Sequence, residues 1–161
     1  MKKQSESILK MKPSGIRTFF NYASERPEII SLGVGEPDFI TPRPIIEAAK
    51  ASLDEGKTFY TSNQGLPILR SKISSYLESR FDVHYDKDEI ILTAGSSQGI
   101  LAALMAIINP GDEIIVTEPT YVCYIPDIGM CGGKAIVIPL KPENNFKLTK
   151  KELVSHITRK T

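Results

Sequence analysis

The chain has 161 residues, which is enough for one domain with a hydrophobic core. Its hydrophobic content of 41% and charged content of 24% are typical of a globular protein, and a net charge of +1 gives no basis for attraction to nucleic acid or to a membrane surface. The basic N-terminus lacks the apolar run of a secretory signal, and no apolar run is long enough to span a bilayer. The only cysteines, Cys123 and Cys131, have no metal-binding spacing, so we expect free thiols, a reducing cytoplasm and no metal site.

The first 26 residues are predicted to form an arm with a short helix near residues 18–24, which Pro27 ends. The segment of residues 33–39 contains two glycines and a proline. These residues exclude regular structure and let the backbone approach another group closely. A plain structural loop explains the same pattern.

Two amphipathic helices follow the arm. Thr41 is predicted to be the N-cap of the first, with Pro42 as its first helical residue. Pro67 is predicted to begin the second helix, which runs to about residue 81. The polar loop between them carries Phe59 and Tyr60, and its composition fits either a surface loop or a binding site.

The segment of residues 89–117 is predicted to be strand, tight turn, helix, turn and strand. The two β-branched runs at residues 90–93 and 114–117 lack polar alternation, so we expect strands that are covered on both faces. Residues 100–108 are apolar all round, which predicts a helix that is buried on most sides.

The turn between the first strand and the helix contains Gly95, Ser96, Ser97 and Gln98. A helix start presents unpaired N–H groups and the positive end of the helix dipole, and the two hydroxyls add donors. This combination favours an anion, above all a phosphate. The alternative is that Ser96 only N-caps the helix, and the motif alone favours this simpler interpretation.

After the second strand, residues 121–130 are predicted to form a helix whose start projects Tyr121, and residues 135–138 a third strand. Thr149 and Glu152 have the spacing of a capping box. Strands that alternate with helices predict an α/β fold with a mostly parallel sheet, in which ligands lie beyond the carboxyl ends of the strands. Ser97 and Tyr121 should therefore share one rim, where they suit a flat, phosphorylated cofactor.

Five motifs follow one another in a fixed order along the chain. They are Leu32-Gly33-Val34-Gly35-Glu36-Pro37-Asp38-Phe39 followed by Thr41-Pro42, Tyr60-Thr61 with Gly65 and Leu69-Arg70, Thr93-Ala94-Gly95-Ser96-Ser97-Gln98, Asn109-Pro110-Gly111-Asp112-Glu113 and Pro119-Thr120-Tyr121. This series resembles the class I aminotransferases, which are pyridoxal-phosphate (PLP) enzymes of fold type I. The resemblance implies a partial three-layer α/β/α sandwich. It assigns residues 1–40 to an N-terminal arm and small-domain segment, and residues 41–161 to the first part of the large cofactor-binding domain, truncated at its C-terminal end.

The resemblance also implies a cofactor site for pyridoxal 5'-phosphate. Gly95, Ser96 and Ser97 resemble its phosphate cup, and Tyr121 resembles the aromatic residue that stacks on its ring. Tyr60 resembles the tyrosine that reaches the phosphate bound by the neighbouring subunit, which implies a homodimer.

For the substrate, Gly35 resembles the backbone donor to the α-carboxylate, and side-chain selectivity would rest partly on Ile16 and Arg17. The implied reaction transfers an amino group between an amino acid and a 2-oxo acid. The segments with the Schiff-base lysine and the carboxylate-binding arginine are absent from these 161 residues, so we expect no catalytic residue here and an inactive isolated chain. The alternatives are a carbon–sulfur lyase or cyclopropane-forming synthase of the same fold, or a non-catalytic fragment that associates with a partner.

Overall fold

A computed structural model describes residues 4–5, 8–9, 11, 15–26, 28–30, 32–33 and 35–161, without the side chains of residues 17 and 18. The chain divides into two compact units, Gly15–Leu92 and Thr93–Thr161, the second together with the residues before Gly15. The predicted domain boundary at residue 40 concerns a complete protein and stays a prediction. No helix in the described ranges is long and apolar enough to cross a lipid bilayer.

The unit Gly15–Leu92 is helical. Its elements are α1 (Ile16–Ser24), α2 (Arg43–Asp54), α3 (Pro67–Phe81) and a 3₁₀ turn (Lys87–Glu89). The predicted α3 is confirmed in full, because a proline at its first position and a left-handed Asp82 after Phe81 mark its two ends. The predicted N-cap Thr41 of α2 is wrong: Pro42, with ψ of 137°, takes the cap position, and no side chain caps the helix. Neither Pro42 nor Pro44 has an N–H group, so fewer donors at this end need a cap.

Arg70 is the buried centre of this unit, with 5% of its surface exposed. Its Nη1 donates a hydrogen bond to the Lys87 carbonyl (2.7 Å) and another to Asp88 Oδ1 (3.1 Å). These bonds tie α3 to the 3₁₀ turn. Hydrogen bonds from Lys87 and Arg70 hold the pKa of Asp88 below its ordinary value.

The predicted strand at residues 90–93 is wrong for the described chain, because no strand pairs with it there. Its backbone is extended at Ile90, but the Leu92 N–H donates to the Gln64 carbonyl at 2.9 Å. Gly65 permits this approach: a Cβ on Gly65 would lie 2.5 Å from Leu92 Cδ1. A β-branched run indicates that a segment can adopt an extended conformation, whereas a β-ladder also requires a neighbouring strand that forms hydrogen bonds with it.

The unit Thr93–Thr161 has α/β architecture. Its elements are α4 (Ser96–Ile107), β1 (Glu113–Glu118), α5 (Tyr124–Met130), β2 (Lys134–Pro139), a 3₁₀ turn (Pro142–Asn144) and α6 (Lys150–His156). The two strands are parallel, with Glu113 opposite Lys134 and Glu118 opposite Pro139. The predicted capping box at the start of α6 is confirmed.

A small core joins the strands to α5. Val116, Ile128 and Ile138 are its buried apolar residues among those described, at 7%, 2% and 2% exposure. Burying one such side chain contributes about 1.5–3 kcal/mol. Gly133 allows this packing, because a Cβ there would lie 2.7 Å from Ile114 Cδ1 and 3.1 Å from Ile128 Cγ2.

The expectation that α4 is buried on most sides is wrong for the described chain. No residue of α4 is buried, and Met105 and Ile107 are 67% and 72% exposed. An apolar sequence indicates that a helix can be buried, whereas actual burial requires other helices or strands that pack against each of its faces. The described part of this unit packs α5 against one side of α4. Exposed apolar surface of this kind marks a face that other structure normally covers.

Candidate functional site

The site begins at the residue that starts α4. Gly95, not Ser96, is the N-cap, with φ of 85° and ψ of 167°. The interpretation of Ser96 as a capping residue is therefore wrong. Only glycine adopts this backbone conformation readily. Ser96 and Ser97 are therefore the first and second residues of the helix. No side chain caps the helix, and its first turn has no acidic residue.

Side chains on both sides of the turn hold its backbone. The Thr93 hydroxyl donates to the Gly95 carbonyl at 3.0 Å, and the Ala94 N–H donates to Gln98 Oε1 at 2.5 Å. The sequence analysis missed this role of the Gln98 side chain. The signal is present, since a glutamine at the third helical position commonly accepts a hydrogen bond from the backbone before the helix.

The N–H groups of Ser96, Ser97 and Gln98 have no hydrogen-bond acceptor within the described chain. A Cβ built on Gly95 would meet no atom within 4 Å, so the space beside the turn is open. Three free donors at the positive end of a 12-residue helix suit an anion with several acceptor oxygens. The local structure therefore fits the phosphate group of the implied cofactor.

Tyr121 lies beside this turn. Its hydroxyl and the Ser97 hydroxyl are 3.0 Å apart and form a hydrogen bond. Ser97 and Tyr121 therefore lie close together, as predicted. The predicted helix start at Tyr121 is wrong, because α5 begins at Tyr124 and Tyr121 lies in the loop after β1. The ring of Tyr124 contacts Tyr121 edge to face, with centroids 5.5 Å apart, a support that the sequence analysis missed.

The two other predicted site residues belong to the other compact unit. Tyr60 is fully exposed, and a Cβ on Gly35 would meet no atom within 4 Å. Their roles stay predictions, as do the cofactor-binding roles of Gly95, Ser96, Ser97 and Tyr121. No group of three or more His, Cys, Asp or Glu side chains in the described residues could hold a metal ion.

The chain matches the family model for aminotransferase class I and II over residues 27–161. It is 41% identical over 157 residues to an aspartate aminotransferase of Pyrococcus horikoshii, covering 98% of this chain and 40% of that protein. An aromatic-amino-acid aminotransferase of Thermococcus litoralis is 37% identical, with 98% and 41% covered.

The fold agrees with the sequence comparison. The solved structure of aspartate aminotransferase from Thermus thermophilus with maleate superposes with a TM-score of 0.93 at 32% identity, covering 100% of this chain and 43% of that one. The α/β fold is thus that of an aspartate aminotransferase, and the chain spans about two fifths of the length of these relatives. The chain belongs to the class I and class II aminotransferases and is similar to the N-terminal part of aspartate aminotransferases.

Proposed function

We propose that this chain supplies the phosphate-binding wall of a PLP-dependent aminotransferase, whose complete form transfers an amino group between an amino acid and a 2-oxo acid. One observation carries the proposal: three N–H groups at the start of α4, which have no acceptor among the described residues, lie next to the hydrogen-bonded hydroxyls of Ser97 and Tyr121. Family membership makes the phosphate of PLP the anion that this arrangement would hold.

Each residue of this wall has a distinct task. Gly95 lets the chain turn sharply into α4, and the space beside its own α-carbon is open. The Ser97 hydroxyl can donate a hydrogen bond to a phosphate oxygen while it accepts one from the Tyr121 hydroxyl, which fixes the tyrosine beside the anion. Tyr121 is 46% exposed, and its ring offers a surface for a flat cofactor ring. When bound, PLP supplies the electron sink that amino-group transfer requires.

The isolated 161-residue chain is proposed to be inactive in transamination. Amino-group transfer needs a lysine that bonds the cofactor covalently and then moves protons, and the chain carries none in the matching sequence context. We also propose that the complete protein is a cytoplasmic homodimer in which Tyr60 reaches the neighbouring site. The full exposure of the Tyr60 side chain and the two free cysteines support these proposals.

A binding experiment tests the phosphate wall. The chain is titrated with pyridoxal phosphate and, separately, with pyridoxal, which has no phosphate. We expect pyridoxal phosphate to bind more tightly, and Ser97→Ala to weaken its binding by about tenfold through loss of a hydrogen bond to a charged group. Ser75→Ala is the matched control, since the Ser75 hydroxyl is exposed and bonds only within α3. Equal affinity for both ligands would contradict the proposal.

Borohydride reduction tests the proposed inactivity. The chain is reduced in the presence of pyridoxal phosphate and its lysines are then mapped by mass spectrometry. We expect scattered, substoichiometric modification. A single stoichiometrically modified lysine, together with amino-group transfer to a 2-oxo acid, would overturn the proposal that this part of the protein lacks the reactive residue.

A further inference from the structure

The Ala94 N–H group lies just before the residue that starts α4. A glutamine or glutamate at the third helical position commonly accepts a hydrogen bond from the N–H of the cap residue itself. Here the N–H of the cap residue, Gly95, donates instead to the Thr93 carbonyl at 2.9 Å. Gln98 Oε1 reaches one residue further back and accepts the Ala94 N–H at 2.5 Å, which is the only hydrogen bond of that N–H group among the described residues.

This hydrogen bond restrains the part of the turn that has the greatest backbone freedom. Glycine adopts the φ of 85° at Gly95 at little cost, but the same freedom lets it leave that conformation. The peptide groups on both sides carry a side-chain restraint, because Gln98 holds the Ala94 N–H and the Thr93 hydroxyl holds the Gly95 carbonyl at 3.0 Å. Of the two, only the Gln98 side chain ties the turn to α4, since Thr93 precedes the helix.

The neutral charge of the Gln98 side chain is the second relevant feature. A glutamate at this position could accept the same hydrogen bond, and a carboxylate in the first turn normally stabilises a helix. Helix stability alone would therefore favour glutamate, yet the first turn of α4 has no acidic residue. A neutral amide leaves the positive end of the helix dipole uncompensated, so that an external anion meets no negative charge there.

From these observations, we propose that Gln98 is a positioning residue for the phosphate of the cofactor, an inference that rests on the proposed function of the α4 start. Its side chain holds the Ala94–Gly95 turn in the conformation that leaves the N–H groups of Ser96 and Ser97 available to an anion. Because the side chain is neutral, it does so without repelling that anion. Donors that are held in place before binding lose less conformational freedom when the ligand arrives, and the affinity is higher as a result.

The first test removes the hydrogen bond and keeps the side chain neutral. Gln98→Met preserves the length of the side chain without the acceptor. We expect hydrogen exchange of the Ala94 amide to become about fivefold faster, and the affinities for pyridoxal phosphate and inorganic phosphate to fall about fivefold, with the affinity for pyridoxal unchanged. Gln64→Met is the matched control, because the Gln64 side chain lies in the other compact unit and makes no hydrogen bond among the described residues. It should change none of these values.

The second test keeps the hydrogen bond and adds a charge. Gln98→Glu retains an acceptor for the Ala94 N–H, so exchange of that amide should stay slow and the thermal midpoint should rise slightly. Binding of pyridoxal phosphate should nevertheless weaken by about fivefold at low salt, and this difference should shrink as added salt screens the carboxylate. A residue that only stabilised the helix would not change stability and phosphate affinity in opposite directions.

The outcomes separate this inference from the proposed function. If the natural chain binds pyridoxal phosphate no more tightly than pyridoxal, the proposed function is wrong and the inference is wrong with it. If the natural chain prefers pyridoxal phosphate and Gln98→Met keeps the full preference, or Gln98→Glu binds as tightly as the natural chain at low salt, only the role of Gln98 is wrong. Equal losses of affinity for pyridoxal and pyridoxal phosphate in Gln98→Met would also overturn that role, because they would indicate a general loss of structure.

Discussion

The backbone conformation of Gly95 gives the sharpest prediction for the phosphate wall. Its φ of 85° and ψ of 167° lie in a region that is essentially restricted to glycine. A methyl group at this position would meet no atom within 4 Å. The cost of Gly95→Ala is therefore backbone strain alone, about 1–3 kcal/mol.

Gly129 is a matched control in the same compact unit. It also has open space around a Cβ, but it lies inside α5 with ordinary helical geometry. Alanine there should stabilise the chain by about 0.5–1 kcal/mol, because glycine loses more backbone freedom on folding. The two substitutions add the same methyl group and should change stability in opposite directions.

Thermal unfolding followed by circular dichroism measures both effects. For a chain of this size, Gly95→Ala should lower the midpoint by roughly 2–12 °C, whereas Gly129→Ala should raise it slightly. A Gly95→Ala variant as stable as the natural chain, beside a Gly129→Ala variant that behaves as expected, would refute the strained turn and with it the assignment of Gly95 as the N-cap.

Three other predictions concern charged groups. Arg70→Met should destabilise the chain by about 2–3 kcal/mol through loss of two part-buried hydrogen bonds from a charged group, whereas Arg80→Met, on an exposed residue of α3, should have little effect in urea unfolding. Asp127 is 7% exposed and its Oδ2 has no hydrogen-bond partner among the described residues. Asp127→Asn, which removes the buried charge, should therefore raise the unfolding free energy by about 1 kcal/mol. A lower unfolding free energy would show that the carboxylate has a hydrogen-bond partner. Hydrogen bonds from the Thr158 hydroxyl and from the Lys134 ammonium hold the pKa of Glu113 below its ordinary value. The ionised Glu113 therefore contributes its full stabilisation above the pKa of an unfolded glutamate, and this stabilisation is lost as pH falls through the lowered pKa. In an acid titration, the unfolding free energy of Glu113→Gln should fall less steeply than that of the natural chain.

Local signals in the sequence were sufficient wherever the cause is local. Pro67 fixes the start of α3, and the capping box of Thr149 and Glu152 starts α6 as predicted. The helix start at Gly95 was misplaced by one position, because serine is the commoner cap and the φ of a glycine is not visible in a sequence. The closeness of Ser97 and Tyr121 was predicted, since each follows a β-branched run, but the hydrogen bond between their hydroxyls was not.

Two predictions that depend on distant partners failed. The extended run at residues 90–93 forms no ladder in the described chain, and α4 has no buried residue, although both sequences are apolar enough for a core. Apolar composition gives the tendency of a segment to be buried, whereas burial requires the elements that cover it. The relatives are more than twice as long as this chain, and their additional length has no counterpart in these 161 residues.

The central claim is that the first turn of α4 binds the phosphate of PLP, and amide chemical shifts measured during titration with pyridoxal phosphate test it most directly. The amide signals of Ser96, Ser97 and Gln98 should shift as pyridoxal phosphate is added and should not shift when pyridoxal is added. Inorganic phosphate should shift the same three signals. Unchanged amides at these positions, with shifts confined to other parts of the chain, would contradict it.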